Sequence, residues 1–334
     1  MQDHKENALF GQKTIEKLTH QIKPTLKQKV NISNWIDALE RGELDKETKN
    51  YIRFHNEILD ILGYTKQHIA HEEEEKEFPI KDSSGNKLVF FEVKGAKTDL
   101  FKIDKSRKHK HRTAIDQTWD YMGHGFPYGI ATNYQEFILI DRSKGYKKYH
   151  YFNILDIKNN KNKISEFIAI FSKDSLENKF ITKLHEETAI EQRNFTKEFY
   201  KLYHETRLML IKEFQESSNK SIENVVRFAQ IYLNRLVFLF FAEDKNLVPE
   251  RTFLNAISPN IVNNRLSEHS RKIHMDNLEL FESLDKGNKA LEIYGFNGEL
   301  FREIFPASFY FKDIRLDNYF KHELSNSKFK KEKI

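Results

Sequence analysis

Glu92 and Lys94 stand two apart in the run Phe90-Phe91-Glu92-Val93-Lys94. On a β-strand side chains alternate, so the carboxylate and the ammonium share one face while Phe91 and Val93 take the other. A carboxylate beside an ammonium on an otherwise apolar strand suits phosphodiester hydrolysis. In that chemistry carboxylates hold a divalent cation against the scissile phosphate. An ammonium near the attacking water opposes the developing negative charge. The competing reading is an ion pair on an exposed edge strand, which contributes little stability.

The chemistry needs a second carboxylate, and hairpin geometry nominates one. The turn signal Asp82-Ser83-Ser84-Gly85-Asn86 separates two extended runs. With a four-residue turn over 83–86, Asp82 faces Lys87 and, counting back, Glu77 faces Glu92. Directly opposed residues share a face with Cβ atoms about 5 Å apart. Glu77 and Glu92 can then share a cation, with the Val93 carbonyl as a further ligand. Asp82 is the rival: it has the more usual residue type for this role, but this register puts it at the turn. Gln117 and Tyr121, four apart, share one face of a helix and are in reach of the attacking water or a DNA backbone. Between strand and helix runs a basic stretch with Lys102, Lys105, Arg107, Lys108, Lys110 and Arg112, read either as a solvated loop or as phosphate contacts. His109 and His111, set among these lysines, are poor metal ligands. The acidic run 72–75 reads as a solvated approach to the hairpin.

These residues need elements to position them. A helix N-cap is expected at Asn31, Ser33 or Asn34, just before Trp35. Phe54, Ile58, Leu59, Ile61 and Leu62 fall at helical spacing, closed by Gly63. After the hairpin come a helix around 115–122 and strands at 128–132 and 137–140, with Asn133 and Tyr134 in the turn between. This order predicts an α/β fold, helices on a mixed sheet. Beyond about residue 185 strand signals stop. Helices are expected at 199–214, with 191–198 leading into it, and at 222–241, the latter with an apolar stripe of Ile222, Val225, Val226, Ala229, Leu233, Leu236 and Val237. The boundary falls near 180, giving a domain of 1–180 and an all-α domain of 181–334.

Composition narrows the class. The 334 residues suit two domains, and 39% hydrophobic residues with 28 Phe suffice for real cores. With no cysteine, disulfides and thiolate metal sites are excluded, and a reducing cytoplasm is the expected setting. The 55 Lys+Arg against 50 Asp+Glu leave a net charge of +5, mildly compatible with nucleic acid. The polar N-terminus lacks the apolar stretch of a signal peptide. The apolar patch 236–242 is far shorter than the roughly 20 residues of a membrane span, so no membrane partner is expected.

The Glu92-Val93-Lys94 triplet after a hairpin, followed by a helix with Gln117-x-x-x-Tyr121, resembles the PD-(D/E)XK nuclease superfamily. FFEVKGAKTDL at 90–100, DQTWDY at 116–121 and YGIATNYQEFILID at 128–141 look like the N-terminal nuclease part of type IIG restriction-modification enzymes. FYKLYHETRLML at 199–210, RFAQIYLNRLVFLFFAEDKNLVP at 227–249 and YGFNGELF at 294–301 are similar to the helical connector preceding the methyltransferase of such enzymes. The resemblance covers roughly residues 50–320. It implies a restriction-endonuclease-like mixed sheet flanked by helices, then an all-α connector. The activity it implies is Mg²⁺-dependent cleavage of double-stranded DNA, with Mn²⁺ able to substitute.

Matched position by position, Glu92 resembles the metal-binding carboxylate, Lys94 the catalytic lysine, and Gln117 and Tyr121 the helix motif. Glu77 departs from the family's usual aspartate. The methyltransferase's glycine-containing cofactor motif and Asn-Pro-Pro-Tyr motif do not occur. The expectation is therefore a stand-alone cleavage subunit or one piece of a longer chain, working with a methyltransferase or specificity partner. Transient dimerisation on DNA would supply the two active sites that double-strand cleavage needs. The alternative is a catalytically silent DNA-binding or scaffold subunit.

Overall fold

The computed structural model describes residues 7–65, 77–103, 112–249, 252, 279–296 and 298–302. The chain divides into two compact units, 1–194 and 195–334. The boundary expected near 180 is the first residue of a 38-residue helix that runs on past this division.

The first unit is built on a five-stranded mixed sheet. Its strands are β1 (Glu77–Lys81), β2 (Lys87–Val93), β3 (Tyr128–Thr132), β4 (Glu136–Asp141) and β5 (Tyr149–Asn153), in spatial order β1-β2-β3-β4-β5. Only β2 and β3 are parallel. Parallel neighbours need a crossover, and the helix Ala114–Met122 supplies it. Helices before the sheet are α1 (Gln12–Thr19), α2 (Leu26–Glu40) and α3 (Tyr51–Phe54), the last continuing as a π-turn over His55–Leu59. The crossover is α4; after β5 come α5 (Asp156–Asn159), α6 (Lys163–Phe171), α7 (Lys173–Glu177) and α8 (Phe180–Ser217).

Alternation along β2 separates two cores. Val89, Phe91 and Val93 join Ile130, Phe137, Leu139 and Phe152 in the larger one, which takes in Trp35, Phe54, Phe167 and Phe171. Phe90 joins Ala131, Ile138 and Ile140 under Ala114, Ile115 and Met122 of α4. The close seat of α4 requires a glycine on β3. A Cβ at Gly129 would stand 2.5 Å from Thr118 Cγ2 and 2.6 Å from Met122 Sδ.

Three expectations need correction. The N-cap of helix α2 lies six to nine residues before the predicted positions, at Thr25, in a capping box in which Thr25 accepts from the Gln28 amide and Gln28 reaches back. The hairpin loop has five residues, closed by the Asp82 amide donating to the Asn86 carbonyl at 2.8 Å. A bulge follows, since Ile80 pairs with Val89 but Lys81 with Lys87, leaving Leu88 as the extra residue. Strand β5 was not foreseen.

In the second unit the described elements are helical: the end of α8, α9 (Ile222–Asp244), a stretch at 279–286 and α10 (Glu299–Arg302). Their core holds Leu210, Phe214, Tyr232, Leu236, Phe281 and Phe301. Of the predicted α9 stripe, Val225, Ala229, Leu233 and Leu236 are buried, whereas Ile222 is about half exposed. By length and composition α9 could cross a membrane. Here it forms the centre of this core, with buried Arg235 donating to the Leu300 carbonyl at 2.7 Å.

Buried Glu166 on α6 tests the packing of α6 against β5. Burial disfavours its charge, but His150, 3.5 Å away, and Lys163 at 2.7 Å outweigh this and hold its carboxyl below the usual range. A depressed folded pKa contributes stability that is present above the unfolded value, roughly 4.3, and is lost as pH falls through the folded value. Glu166→Gln should cost about 1.5–3 kcal/mol near neutral pH. In urea titrations the gap to wild type should narrow below about pH 4.

Candidate active site

The β1–β2 register places Glu77 opposite Glu92. The longer loop and the bulge each shift the count by one, and the two shifts cancel. The backbone of Glu77 is described; its side chain lies outside the described residues. Asp82 sits at the turn, about 16 Å along β1 from Glu77 at ~3.3 Å per residue. Its carboxylate accepts from the Ser84 and Asn86 amides at 2.9 and 2.8 Å and from Asn86 Nδ2 at 3.1 Å. Asn86 holds its pKa below the usual range. That carboxylate is the keystone of the loop.

Glu92 and Lys94 lie on an interior strand, not an edge. Lys94 Nζ donates directly to Glu92 Oε1, and both side chains are at least nine-tenths buried. Their face is the one α4 covers, because Phe90 shares it two residues earlier.

Helix α4 starts from a capping box between Thr113 and Asp116. The Tyr121 ring stacks on Phe90, centroids 4.5 Å apart and planes 18° from parallel. Stacking is therefore what the structure shows Tyr121 doing. From that contact, one helical turn back to Gln117 covers about 6 Å. Two strand residues onward to Glu92 cover about 6.6 Å. The crossover makes α4 run opposite to β2, so both steps go the same way and Gln117 comes over the Glu92 level. Gln117 is buried, and its Oε1 has no hydrogen-bond partner among the described residues. A buried acceptor left without a donor is uncommon and is open to a further partner.

The sequence reading missed what fixes the end of β2. Gly95 follows Lys94, and a Cβ there would come within 2.2 Å of the Asp45 carbonyl. The close approach lets the Ala96 amide donate to the Leu44 carbonyl at 3.0 Å. Tyr134, in left-handed conformation at φ 71°, donates its hydroxyl to the Glu47 carbonyl at 2.6 Å. Tyr51 donates to Glu47 Oε1 at 2.8 Å. Burial, the bond to Glu47 and the negative charges of Glu47 and Glu92 push the Tyr51 phenol far above its usual range. It remains a neutral donor. Only the glycine after Lys94 offered a signal of this in the sequence; the Tyr134 contact spans 87 positions.

Among the described residues no three His, Asp or Glu side chains converge as a metal cage. Of the basic stretch, 104–111 lies outside the described residues, as does the acidic run 72–75. Lys102 is exposed, and Arg112 pairs with Asp120 of α4. A cavity of about 680 Å³, lined among others by Tyr128, Asp141, Arg142 and His185, lies at the opposite end of the sheet. His185 Nε2 meets Asp141 Oδ2 there at 2.8 Å.

Residues 227–301, within the second unit, match the family described as "MmeI, helicase spacer domain". The chain is 25% identical over 308 residues to a Methanocaldococcus jannaschii protein named "Putative type II restriction enzyme and methyltransferase RM.MjaORFECS2P". That match covers 73% of this chain and 25% of the relative, so the chain spans about a quarter of the relative's length. No solved structure matches.

Two stability outcomes follow from the geometry. Gln117→Leu removes an unsatisfied acceptor, so it should leave stability unchanged or raise it by up to about 1 kcal/mol. A larger loss in chemical denaturation would mean that the amide is already satisfied. Glu92→Gln strands a buried ammonium and should cost about 3–5 kcal/mol. Adding Lys94→Met should recover most of that cost in the same assay.

Proposed function

We propose that this chain is the cleavage part of a restriction-modification system, an endonuclease of the PD-(D/E)XK type that hydrolyses double-stranded DNA with a divalent metal. The observation that carries the reading is the buried Glu92–Lys94 pair beneath α4, with Gln117 brought to the same level and its acceptor unsatisfied. The two comparisons support the restriction-modification class. The relative's name joins restriction enzyme and methyltransferase, which supports a methyltransferase domain or subunit as partner.

The donor set suits a hard cation: carboxylates of Glu92 and, by register, Glu77, with the Val93 carbonyl, and no thiol anywhere in the chain. When bound, Mg²⁺ or Mn²⁺ would neutralise charge on the scissile phosphate. The chain's own residues do the rest. Glu92 is held ready by Lys94, whose buried ammonium is placed to oppose charge developing on the phosphate. Gln117 Oε1 accepts from the attacking water and orients it. Transient dimerisation on DNA would pair two such sites for double-strand cleavage.

One observation favours a second reading, a silent DNA-binding or scaffold subunit. Glu77 stands where the family has aspartate. Calorimetric titration with Mn²⁺ separates the readings, since a scaffold takes up none.

Supercoiled plasmid incubated with the chain and Mg²⁺ or Mn²⁺ should be nicked or linearised, and EDTA should abolish this. Lys94→Met should lower the rate at least about 100-fold, the scale for losing one preorganised donor. Cleavage by the stable Glu92→Gln, Lys94→Met double variant at the wild-type rate would refute the assignment.

A further inference from the structure

The turn between β4 and β5 carries Arg142, Lys144, Lys147 and Lys148 within seven residues and no acidic residue. All four are exposed. Arg142, Lys144 and Lys147 make no ion pair with any described residue. Like charges crowded on a short turn repel each other, so the arrangement gains nothing for the folded chain alone.

The turn is also built rigidly. Asp141 accepts from the Ser143 amide and hydroxyl at 2.8 and 2.6 Å, and Gly145 takes φ 89°. The Arg142 guanidinium lies 5.0 Å over the Trp119 ring of α4. Tyr146 meets Trp119 edge-on at 5.8 Å, and its hydroxyl donates to Asp116 in the first turn of α4. The turn, through Arg142 and Tyr146, is thus fixed to the helix that covers the Glu92–Lys94 face. One N–H donates to the Trp119 carbonyl at 3.4 Å, and a guanidinium stacked on an aromatic ring keeps the rest of its planar N–H edge for an oxyanion.

The register sets the distance. Thr132 pairs with Val93, and Tyr128 pairs with both Val89 and Asp141. The turn therefore begins four residues, about 13 Å, along the strands from the level of the candidate site. That is about four steps of a duplex at ~3.4 Å per step.

We propose that residues 142–148, with Trp119 as their support, form a contact surface for the phosphate backbone of double-stranded DNA. The surface positions the duplex bound at the candidate active site and reads no sequence. This rests on the reading of that site as a DNA nuclease.

The test measures binding of the full chain to a random-sequence duplex by fluorescence anisotropy, in EDTA, over a range of salt. The triple variant Arg142→Gln, Lys144→Gln, Lys147→Gln is compared with Lys23→Gln, Lys29→Gln, Lys161→Gln, which neutralises three exposed lysines elsewhere. The turn variant should bind at least about tenfold more weakly near 0.1 M salt. Its slope of log K against log salt should shrink by roughly 2–3, about 0.9 per lost phosphate contact. The control should keep the wild-type slope, and both variants the wild-type melting temperature. Equal losses in the two variants, an unchanged slope, or no duplex binding by the wild type would overturn the proposal. So would displacement by polyglutamate as effective, charge for charge, as by duplex. Plasmid cleavage is scored separately: a slope change in a chain that cleaves nothing would retain the surface and reject the nuclease.

Discussion

The seating of α4 on β2 and β3 is the contact on which the candidate site depends. Gly129 removes the one side chain that would hold the helix off the sheet. Thr118 and Met122 then reach the strand, and Tyr121 lands flat on Phe90. Those contacts leave no freedom in the helix's register, and the register brings Gln117 to the level of Glu92. The same helix reaches outward through Asp116 and Trp119 to fix the β4–β5 turn. One short crossover thus ties the buried pair, the orphan amide and the exposed cations into a single rigid body.

Much of this was legible because alternation is a strong signal. The two-residue period through 89–94 assigned Glu92 and Lys94 to one face and their apolar neighbours to the other, and the two cores are divided in that way. The pairing of Glu77 with Glu92 emerged through compensating miscounts, since a bulge at Leu88 leaves no mark in residue type. The start of α2 was invisible for a related reason. Its first turns place Leu26 and Val30 in solvent, so the apolar stripe that betrays a helix begins only at Ile32. Strand β5 hides behind tyrosines and a histidine whose burial depends on Glu166 from α6. The first half of α8 hides behind charge, and long-range contacts hold it: His185 with Asp141, Glu191 with Thr14.

The site's supports were the least legible part. Gly95 has a meaning only once the Asp45 carbonyl lies against it, and Glu47 only once Tyr51 and Tyr134 grip it. The Gly95–Asp45 and Tyr134–Glu47 contacts join segments dozens of residues apart. Local pattern carries no information about such meetings, whereas a glycine directly after a charged strand end marks where one is needed.

The Glu92–Lys94 pair weighs on function more than on stability. Desolvating two charges costs several kcal/mol each, and well-packed apolar residues of similar volume are commonly as stable or more so. Neighbouring Phe90, Phe91 and Val93 show that this strand accommodates apolar side chains at both faces. A strand selected for stability alone would continue that run. An ammonium and a carboxylate placed there, beneath a glutamine whose acceptor has no donor among the described residues, make sense when the charges have work outside the fold. Lys94 pairs with Glu92 in the isolated chain, and in the proposed nuclease it would oppose the charge of an anionic substrate. This balance explains how so polar a group can sit in the core of the first unit without unfolding it.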